Sequence, residues 1–261
     1  MYLEIDIKMN INHSFSDFTE INDGPNKLLI IGNFLSIFKD KKFLTKEESL
    51  KILEKSLKDL NNLKKYIYNS IGECHFVLKN SLKEIFIFNS NESPGLFYGK
   101  KDMVIYISTE EIDISKKFLN NKLSDFEIAD LIFRDFNKRN SFRTIIDEVL
   151  RLPSSFFLKI DNDLNLTSNY FVPIHEFCTD NRSLKDLDSD FKFFLENTIL
   201  FYYKKYNNLK LYSNLSGGID STAVTIACKK LKLDVTAFHL TKDEWLKDNT
   251  KILAEKINVP V

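Results

Sequence analysis

The sequence predicts an α/β protein in two parts: an α+β domain over residues 1–180 and the start of a parallel-sheet α/β domain over 183–261. Three observations lead there. The first part is a series of short β-branched and aromatic runs separated by turn residues, with helical periodicity confined to a few stretches. From Pro173 to Arg182 the pattern lapses into a linker. The remainder then changes rhythm to helix, apolar strand, glycine turn, helix, strand, helix, which is the order of a βαβ unit.

Taken in order, Met1 to Lys8 alternates apolar and charged residues and reads as an edge or surface strand rather than a signal peptide. Residues 1–43 are β-rich, with a turn at Asn22-Asp-Gly-Pro25 and a strand at Leu28–Ile31. Thr45-Lys-Glu-Glu48 has the form of a capping box, and Leu50, Ile52, Leu53, Leu57 and Leu60 continue one helix to about residue 63. Strands follow at 74–79 and 84–89. A turn from Asn89 to Gly95 leads through Leu96-Phe-Tyr98 to a strand at Met103–Ser108. Ser124-Asp-Phe-Glu127 is a second capping box before Ile128, Leu131, Ile132 and Phe133, and a helical turn is expected near 144–149. Strands at Phe156–Ile160 and Asn165–Phe171 flank a turn at Asp161-Asn-Asp163.

Ser183 opens a long helix to about 206 whose stripe of Leu187, Phe191, Phe194, Leu195, Ile199 and Tyr202 is expected to be core packing. Leu209–Leu215 is a buried strand, Asp234–His239 a second one, and 245–257 the last helix. The chain stops at Val259-Pro-Val261, where a third strand is expected to begin.

Composition narrows the function. The chain of 261 residues is 43% hydrophobic, enough for a sizeable core. Its 37 basic and 37 acidic residues balance, so no electrostatic pull toward nucleic acid or an anionic membrane is expected. No apolar run is long enough to span a bilayer. Cys74, Cys178 and Cys228 form no close pair. This argues against a disulfide framework or zinc site and fits a reducing cytoplasm. His13, His75 and His175 have no metal-ligand spacing.

The chemistry concentrates in Leu215-Ser-Gly-Gly-Ile-Asp-Ser-Thr222. Strand, glycine turn and helix make an anion cradle: two glycines let backbone approach an anion without Cβ clashes, and the first helical turn adds N–H donors and partial positive charge. Ser216, Ser221 and Thr222 contribute hydroxyls. Asp220 beside phosphates makes sense when it holds or orients a cation. There is no Gly-x-x-x-x-Gly-Lys, so the Walker loop is excluded.

Ser216-Gly-Gly-Ile-Asp-Ser221 resembles the signature of the PP-loop ATP pyrophosphatases, which cleave ATP between the α- and β-phosphates and activate a carboxyl oxygen as an adenylate. The earlier segments Ile71–Leu78, Ile85–Phe88, Pro94–Tyr98 and Ile105–Glu110 resemble the second half of a class II glutamine amidotransferase domain, an Ntn-type sandwich. Arg143-Thr144, Val149-Leu-Arg-Leu-Pro153, Phe157–Asp161 and Tyr170–Pro173 resemble the segment leading out of that domain in the asparagine synthetase family. The resemblance covers about residues 66–261, and 1–65 only loosely.

It implies ATP and Mg²⁺. Gly217, Gly218, Ser216, Ser221 and Thr222 would hold phosphates, Asp220 the metal, and Leu215 and Phe238 would flank adenine. Three departures shape the expectation. Tyr2 stands where a working glutaminase carries its cysteine, and Cys74 reads as a core residue, so no glutaminase activity is expected. Gly32-Asn33 has the wrong order and neighbours for the oxyanion motif, and Glu73, where an acidic residue would bind the glutamine amine, reads as a surface charge. The later Ser-Gly and Asp-Glu motif is missing, and a doubly wound domain needs roughly 150 residues, so the synthetase half is expected to be cut short at 261.

β-Lactam and lasso-peptide macrolactam synthetases are glutaminase-dead relatives of this kind. The resemblance therefore implies an AMP-forming amide-bond ligase, or a fragment of one, adenylating a carboxylate for attack by an amine. The alternative is a non-catalytic binding or scaffold protein with a vestigial or partner-completed PP-loop domain. A PP-loop enzyme of sulfur or tRNA chemistry ranks third, because neither catalytic cysteines nor a basic surface is present. Expected partners are ATP, a carboxylate-bearing small molecule or peptide, and a second chain, either another copy or a complementing synthetase chain. His239 reads as a surface or cap residue. Asp243, Glu244 and Asp248 read as helix N-terminal charges.

Overall fold

The computed structural model describes all residues except 7, 15, 91, 92, 94, 118–122, 134–142, 145, 171–181, 240–243 and 261. It divides into two compact units, Met1–Thr179 and Asp180–Val261.

The first unit begins with β1 (Tyr2–Ile5), β2 (Ile11–His13), β3 (Phe18–Asp23), β4 (Asn26–Gly32), β5 (Ser36–Lys39) and β6 (Lys42–Phe43). Helices α1 (Lys46–Ser56) and α2 (Leu60–Tyr68) follow, then β7 (Ser70–Ile71), β8 (Cys74–Lys79), β9 (Ile85–Asn89), β10 (Leu96–Lys101) and β11 (Val104–Ser108). The unit continues with α3 (Glu111–Ser115), α4 (Asp125–Phe133), β12 (Leu150–Leu152), β13 (Phe156–Ile160) and β14 (Leu166–Tyr170).

Two antiparallel sheets organise these elements, one in the order β12-β10-β11-β1-β2 and the other β14-β13-β9-β8-β4-β3. The apolar runs of β4, β8 and β9 are continuous because both faces of their sheet are covered. Leu28, Ile30, Phe76, Leu78, Phe86 and Phe88 face Leu53, Leu57, Leu63 and Ile67 of the helical layer. The alternate residues Leu29, Ile31, Val77, Ile85 and Ile87 meet Leu3, Ile5, Leu96, Ile105 and Ile107 of the other sheet. On that sheet's outer face Phe97 and Tyr106 pack with Ile114 of α3. The result is a layered α+β sandwich, in agreement with the fold class read from the sequence.

Three hairpins use one loop design. Asp6, Asn80 and Asp161 each accept two backbone N–H bonds, from Lys8 and Asn10, Leu82 and Glu84, and Asp163 and Asn165. Three residues on, Met9, Lys83 and Leu164 take positive φ of 58, 63 and 58°. The side chains of Asn10, Glu84 and Asn165 close each ring back to the first residue. An Asx side chain thus replaces the glycine that such a turn would otherwise demand.

Four expectations need correction. β1 is not an edge strand: it pairs with β11 on one side and β2 on the other, with Leu3 and Ile5 fully buried. Alternation reports a half-buried face, not a place in the sheet. The capping box at Thr45 forms, with Glu48 N–H to Thr45 Oγ1 at 3.2 Å and Thr45 N–H to Glu48 Oε2 at 2.8 Å. However, the helix it starts ends at Ser56. Asp59 then caps α2 by accepting from Asn61 and Asn62 N–H, because its carboxylate satisfies fresh orphan donors better than a continuing helix could use it. Near 144–149 the described residues form one hydrogen-bonded turn, Val149 N–H to the Ile146 carbonyl at 3.1 Å, but no helix. Thr144 Oγ1 donates toward the Ile146 and Val149 carbonyls and accepts from Ile146 N–H, and isolated bridges join Leu123 to Ile146 and Arg143 to Leu150.

The fourth correction lies in the second unit, which comprises α5 (Leu184–Lys205), β15 (Leu211–Asn214), α6 (Ile219–Lys230), β16 (Val235–Phe238) and α7 (Glu244–Ile257). β15 and β16 pair in parallel, and a small core of Leu215, Cys228, Val235, Ala237, Ala254 and Val259 holds them to the helices. The aromatic stripe of α5 is not core: none of its 22 residues is buried, and Phe191 is 59% exposed. A two-stranded sheet offers too little surface to cover it. The linker at 173–181, Cys178, His175, Asp243 and the side chains of Glu244 and Asp248 lie outside the described residues.

Buried polar contacts in the first unit are specific. Ser49, fully buried, accepts Ile37 N–H at 3.0 Å and donates to the Thr45 carbonyl at 2.8 Å, tying α1 to β5. Ser49→Ala orphans that N–H. It is expected to cost about 1–3 kcal/mol in urea unfolding, whereas a change below a few tenths would show that the bond carries no stability.

Candidate functional site

The strand-to-helix loop has the local form its composition demands. β15 ends at Asn214, and Leu215 N–H donates to the Phe238 carbonyl at 2.8 Å. Gly217 then takes φ of +82°, with open space where a side chain would stand. Gly218 is the N-cap of α6 and offers no side-chain cap, so the first N–H groups of the helix are not masked by one. Ile219 is 88% exposed and Asp220 beside it is exposed too. The turn is braced by hydroxyls. Ser216 Oγ and Ser221 Oγ lie 3.0 Å apart, Ser221 Oγ donates to the Gly218 carbonyl at 3.1 Å and Thr222 Oγ1 to the same carbonyl at 2.8 Å. Beneath it, buried Thr225 Oγ1 donates to the Ser221 carbonyl and sits 2.7 Å from Ser213 Oγ, linking α6 to β15.

Ser216, Gly217, Gly218, Asp220, Ser221 and Thr222 are therefore brought together in one turn, exposed at 216–220 and half-buried at Ser221 and Thr222. Leu215 is not part of that surface. Its side chain is fully buried in the core, its N–H is bonded to Phe238, and its carbonyl meets His239 Nδ1 at 2.9 Å. Of the pair expected to flank a base, only Phe238, 41% exposed, faces outward. His239 is neither a free surface residue nor a helix cap. It joins the ends of β15 and β16, and its Nε2 is buried without a partner among the described residues. The sequence held no signal for Thr225, and His239, singled out there, was read without its bond to the Leu215 carbonyl.

A cavity in the first unit was not expected. It measures about 390 Å³ and is lined by Met1, Ser14, Asp17, Gly32, Glu73 and His75 among others. Gly32 and Glu73, set aside in the sequence as a mismatched oxyanion motif and a surface charge, meet here, with Asn33 N–H donating to the Glu73 carbonyl at 2.9 Å. The neighbouring Met1 amino group donates to Thr109 Oγ1 at 2.9 Å. Tyr2 supplies no nucleophile to this cavity. Its hydroxyl donates to Glu4 at 2.7 Å, and burial together with Glu4 holds the phenol well above the ordinary tyrosine range. Cys74 is a fully buried strand residue.

His75 is 5% exposed, lies beside Asn89, and has no hydrogen-bond partner at Nδ1 among the described residues. Burial, aided by the nearby ammonium, lowers its pKa from 6.5 to about 4. The folded state thus resists protonation that the unfolded chain accepts. Stability is full above pH 6.5 and declines as pH falls toward 4, by about 3 kcal/mol over that window. His75→Leu is expected to flatten this dependence in urea unfolding between pH 7 and 4.5. An unchanged slope would assign it to other groups.

No protein-family model and no curated protein matches the chain. Solved structures do. A glutamine phosphoribosylpyrophosphate amidotransferase from B. subtilis, complexed with ADP and GMP, matches at 10% identity and a TM-score of 0.34. A structure described as the allosteric regulatory enzyme of purine biosynthesis matches at 10% and 0.35. Both alignments cover 88% of this chain but 51% of the other, so the chain spans about half the length of the structures it matches. Similarity at this level carries no chemistry.

Among the described residues no helix is long and apolar enough to cross a membrane, and no group of three or more His, Cys, Asp and Glu side chains could hold a metal ion.

Proposed function

We infer that the second unit binds ATP as part of an asparagine synthetase-like, AMP-forming amide-bond ligase without glutaminase activity. One observation carries this reading: the turn Ser216–Thr222, which combines positive-φ Gly217, a helix N-terminus free of a side-chain cap, three hydroxyls and exposed Asp220. The donors suit phosphate oxygens. A lone carboxylate suits Mg²⁺, which keeps most of its waters and binds through one or two carboxylates plus phosphates. It does not suit a metal held by protein alone. Bound Mg-ATP would present its α-phosphorus to a carboxylate, and an amine would displace AMP from the resulting adenylate.

In this reading the N–H groups of the turn orient and neutralise the pyrophosphate leaving group. Ser216 and Ser221 would exchange their mutual bond for donation to phosphate, and Asp220 would place the cation. Phe238 offers a ring at the strand end for the base. Titration calorimetry of the full chain with ATP, with and without Mg²⁺, tests this. Magnesium-dependent binding is expected, and its absence would remove the nucleotide from the account.

A second reading, a non-catalytic binding protein whose PP-loop domain is completed by a partner, is favoured by the 22-residue α5 without a buried side chain. It predicts no turnover even where ATP binds.

A further inference from the structure

Lys117 rests its ammonium against two aromatic rings and a carboxylate on the outer face of the five-stranded sheet. Tyr2 and Glu4 alternate along β1 with fully buried Leu3 and Ile5, so both turn to that face. Tyr106 of β11 stands opposite Glu4 and turns the same way, between buried Ile105 and Ile107. Lys117, just past α3, completes the group. Its Nζ lies 3.2 Å from Glu4 Oε1, 5.5 Å from the centroid of the Tyr2 ring and 5.8 Å from that of Tyr106. Both rings are close enough to attract a cation through their faces.

The walls have supports other than the lysine. The Tyr2 hydroxyl donates to Glu4 Oε1 at 2.7 Å, and Tyr106 packs with Ile114 and Val149. The Tyr2 hydroxyl, and then Lys117, hold the Glu4 carboxyl below its usual range, so it is charged at neutral pH. Asp113, whose charge also bears on the Tyr2 phenol, adds to the negative field. The lysine itself fits loosely. Charge-assisted bonds to carboxylate are about 2.7–2.9 Å, shorter than this one. Elsewhere in the unit Lys64 Nζ comes within 4.2 Å of the Phe157 ring centroid. The Lys117 side chain is 46% exposed. A primary ammonium has three N–H donors to satisfy, and ring faces satisfy them poorly. A trimethylammonium group has none, and can lay its methyls on both rings while its charge stays by the carboxylate.

We propose that Tyr2, Glu4 and Tyr106 form an aromatic cage for a trimethylammonium group, and that Lys117 is the internal cation such a ligand displaces. The group comes from two sources, a free choline-type molecule or a trimethylated lysine in a peptide. The cage belongs to the first unit and is independent of the nucleotide reading, which concerns Asp220 and the glycine turn of the second.

The test titrates the full chain and its Lys117→Ala variant with tetramethylammonium, followed by nuclear magnetic resonance. Lys117→Ala is expected to bind roughly tenfold tighter than the parent, with shifts at the Tyr2 and Tyr106 ring protons. The uncharged carbon isostere of choline should bind roughly tenfold more weakly than choline, because it keeps the shape without the charge. Adding Tyr2→Leu or Glu4→Gln to Lys117→Ala should return binding to the parent level or below. Free choline and a trimethyl-lysine peptide, with the unmethylated peptide as control, then separate the two sources, and the tighter binder names the one. Lys117→Ala should keep the parent's urea midpoint. A clear fall in that midpoint would make Lys117 a structural brace and overturn the proposal. So would no binding by Lys117→Ala, equal binding of the isostere, indifference to both Tyr2→Leu and Glu4→Gln, or shifts confined to other residues.

Discussion

Gly72→Ala is expected to destabilise the first unit by about 3–5 kcal/mol, combining backbone strain with overpacking. Gly72 has φ of +116°, and a Cβ there would lie 2.1 Å from the Asn33 carbonyl oxygen and 3.1 Å from Leu35 N. Neither obstacle is a side-chain end that could swing away. Leu35 N–H bonds to the Ile71 carbonyl and Asn33 N–H to that of Glu73, so the chain after β4 and the chain before β8 are laced across Gly72. Moving either would break that lacing and disturb the cavity that Gly32, Glu73 and His75 line. With total domain stabilities of about 5–15 kcal/mol, a loss of this size leaves a marginal protein. Urea unfolding followed by far-ultraviolet circular dichroism measures it, and a loss under about 1 kcal/mol would show that the crossing relaxes freely.

Asp220→Ala is expected to lower Mg²⁺-dependent ATP–pyrophosphate exchange by about a hundredfold or more, the scale of removing one preorganised electrostatic contact at a reacting phosphate. Asp220 is exposed in the first turn of α6 and makes no core contact. The variant should therefore keep its circular dichroism spectrum and urea midpoint, which separates loss of chemistry from loss of fold. Asp220→Asn should lose exchange to a similar degree, because an amide keeps the shape but not the charge that would hold Mg²⁺. Undiminished exchange in either variant removes Asp220 from the assignment. Exchange absent from the parent chain with Mg-ATP binding intact would favour the partner-completed reading.

The sequence made the local architecture legible wherever one residue type has one physical use. Apolar runs at Leu28–Ile31, Phe76–Leu78 and Ile85–Phe88 are strands buried on both faces, and Thr45 with Glu48 starts a helix. Ser183 caps α5 through Asp186 N–H. Ser216-Gly-Gly forms the turn between β15 and α6. Each outcome depends on contacts within a few residues. The break at Asp59 was also written locally, but the apolar spacing across Leu57 and Leu60 outweighed it.

What only the tertiary structure decided is which residues share a surface. Tyr2-Leu-Glu-Ile5 reads the same at an edge or inside a sheet, and only pairing with β11 and β2 places it inside. Leu215 adjoins the loop in sequence yet belongs to the core, while His75, Gly32 and Glu73 meet at one cavity. The aromatic residues of α5 have core chemistry, but burial needs a second surface, and the described residues of their unit supply little of one. Backbone propensity and capping act over a few residues and so are readable along the chain. Burial and proximity are properties of pairs distant in sequence, and they exist only once the sheets have closed.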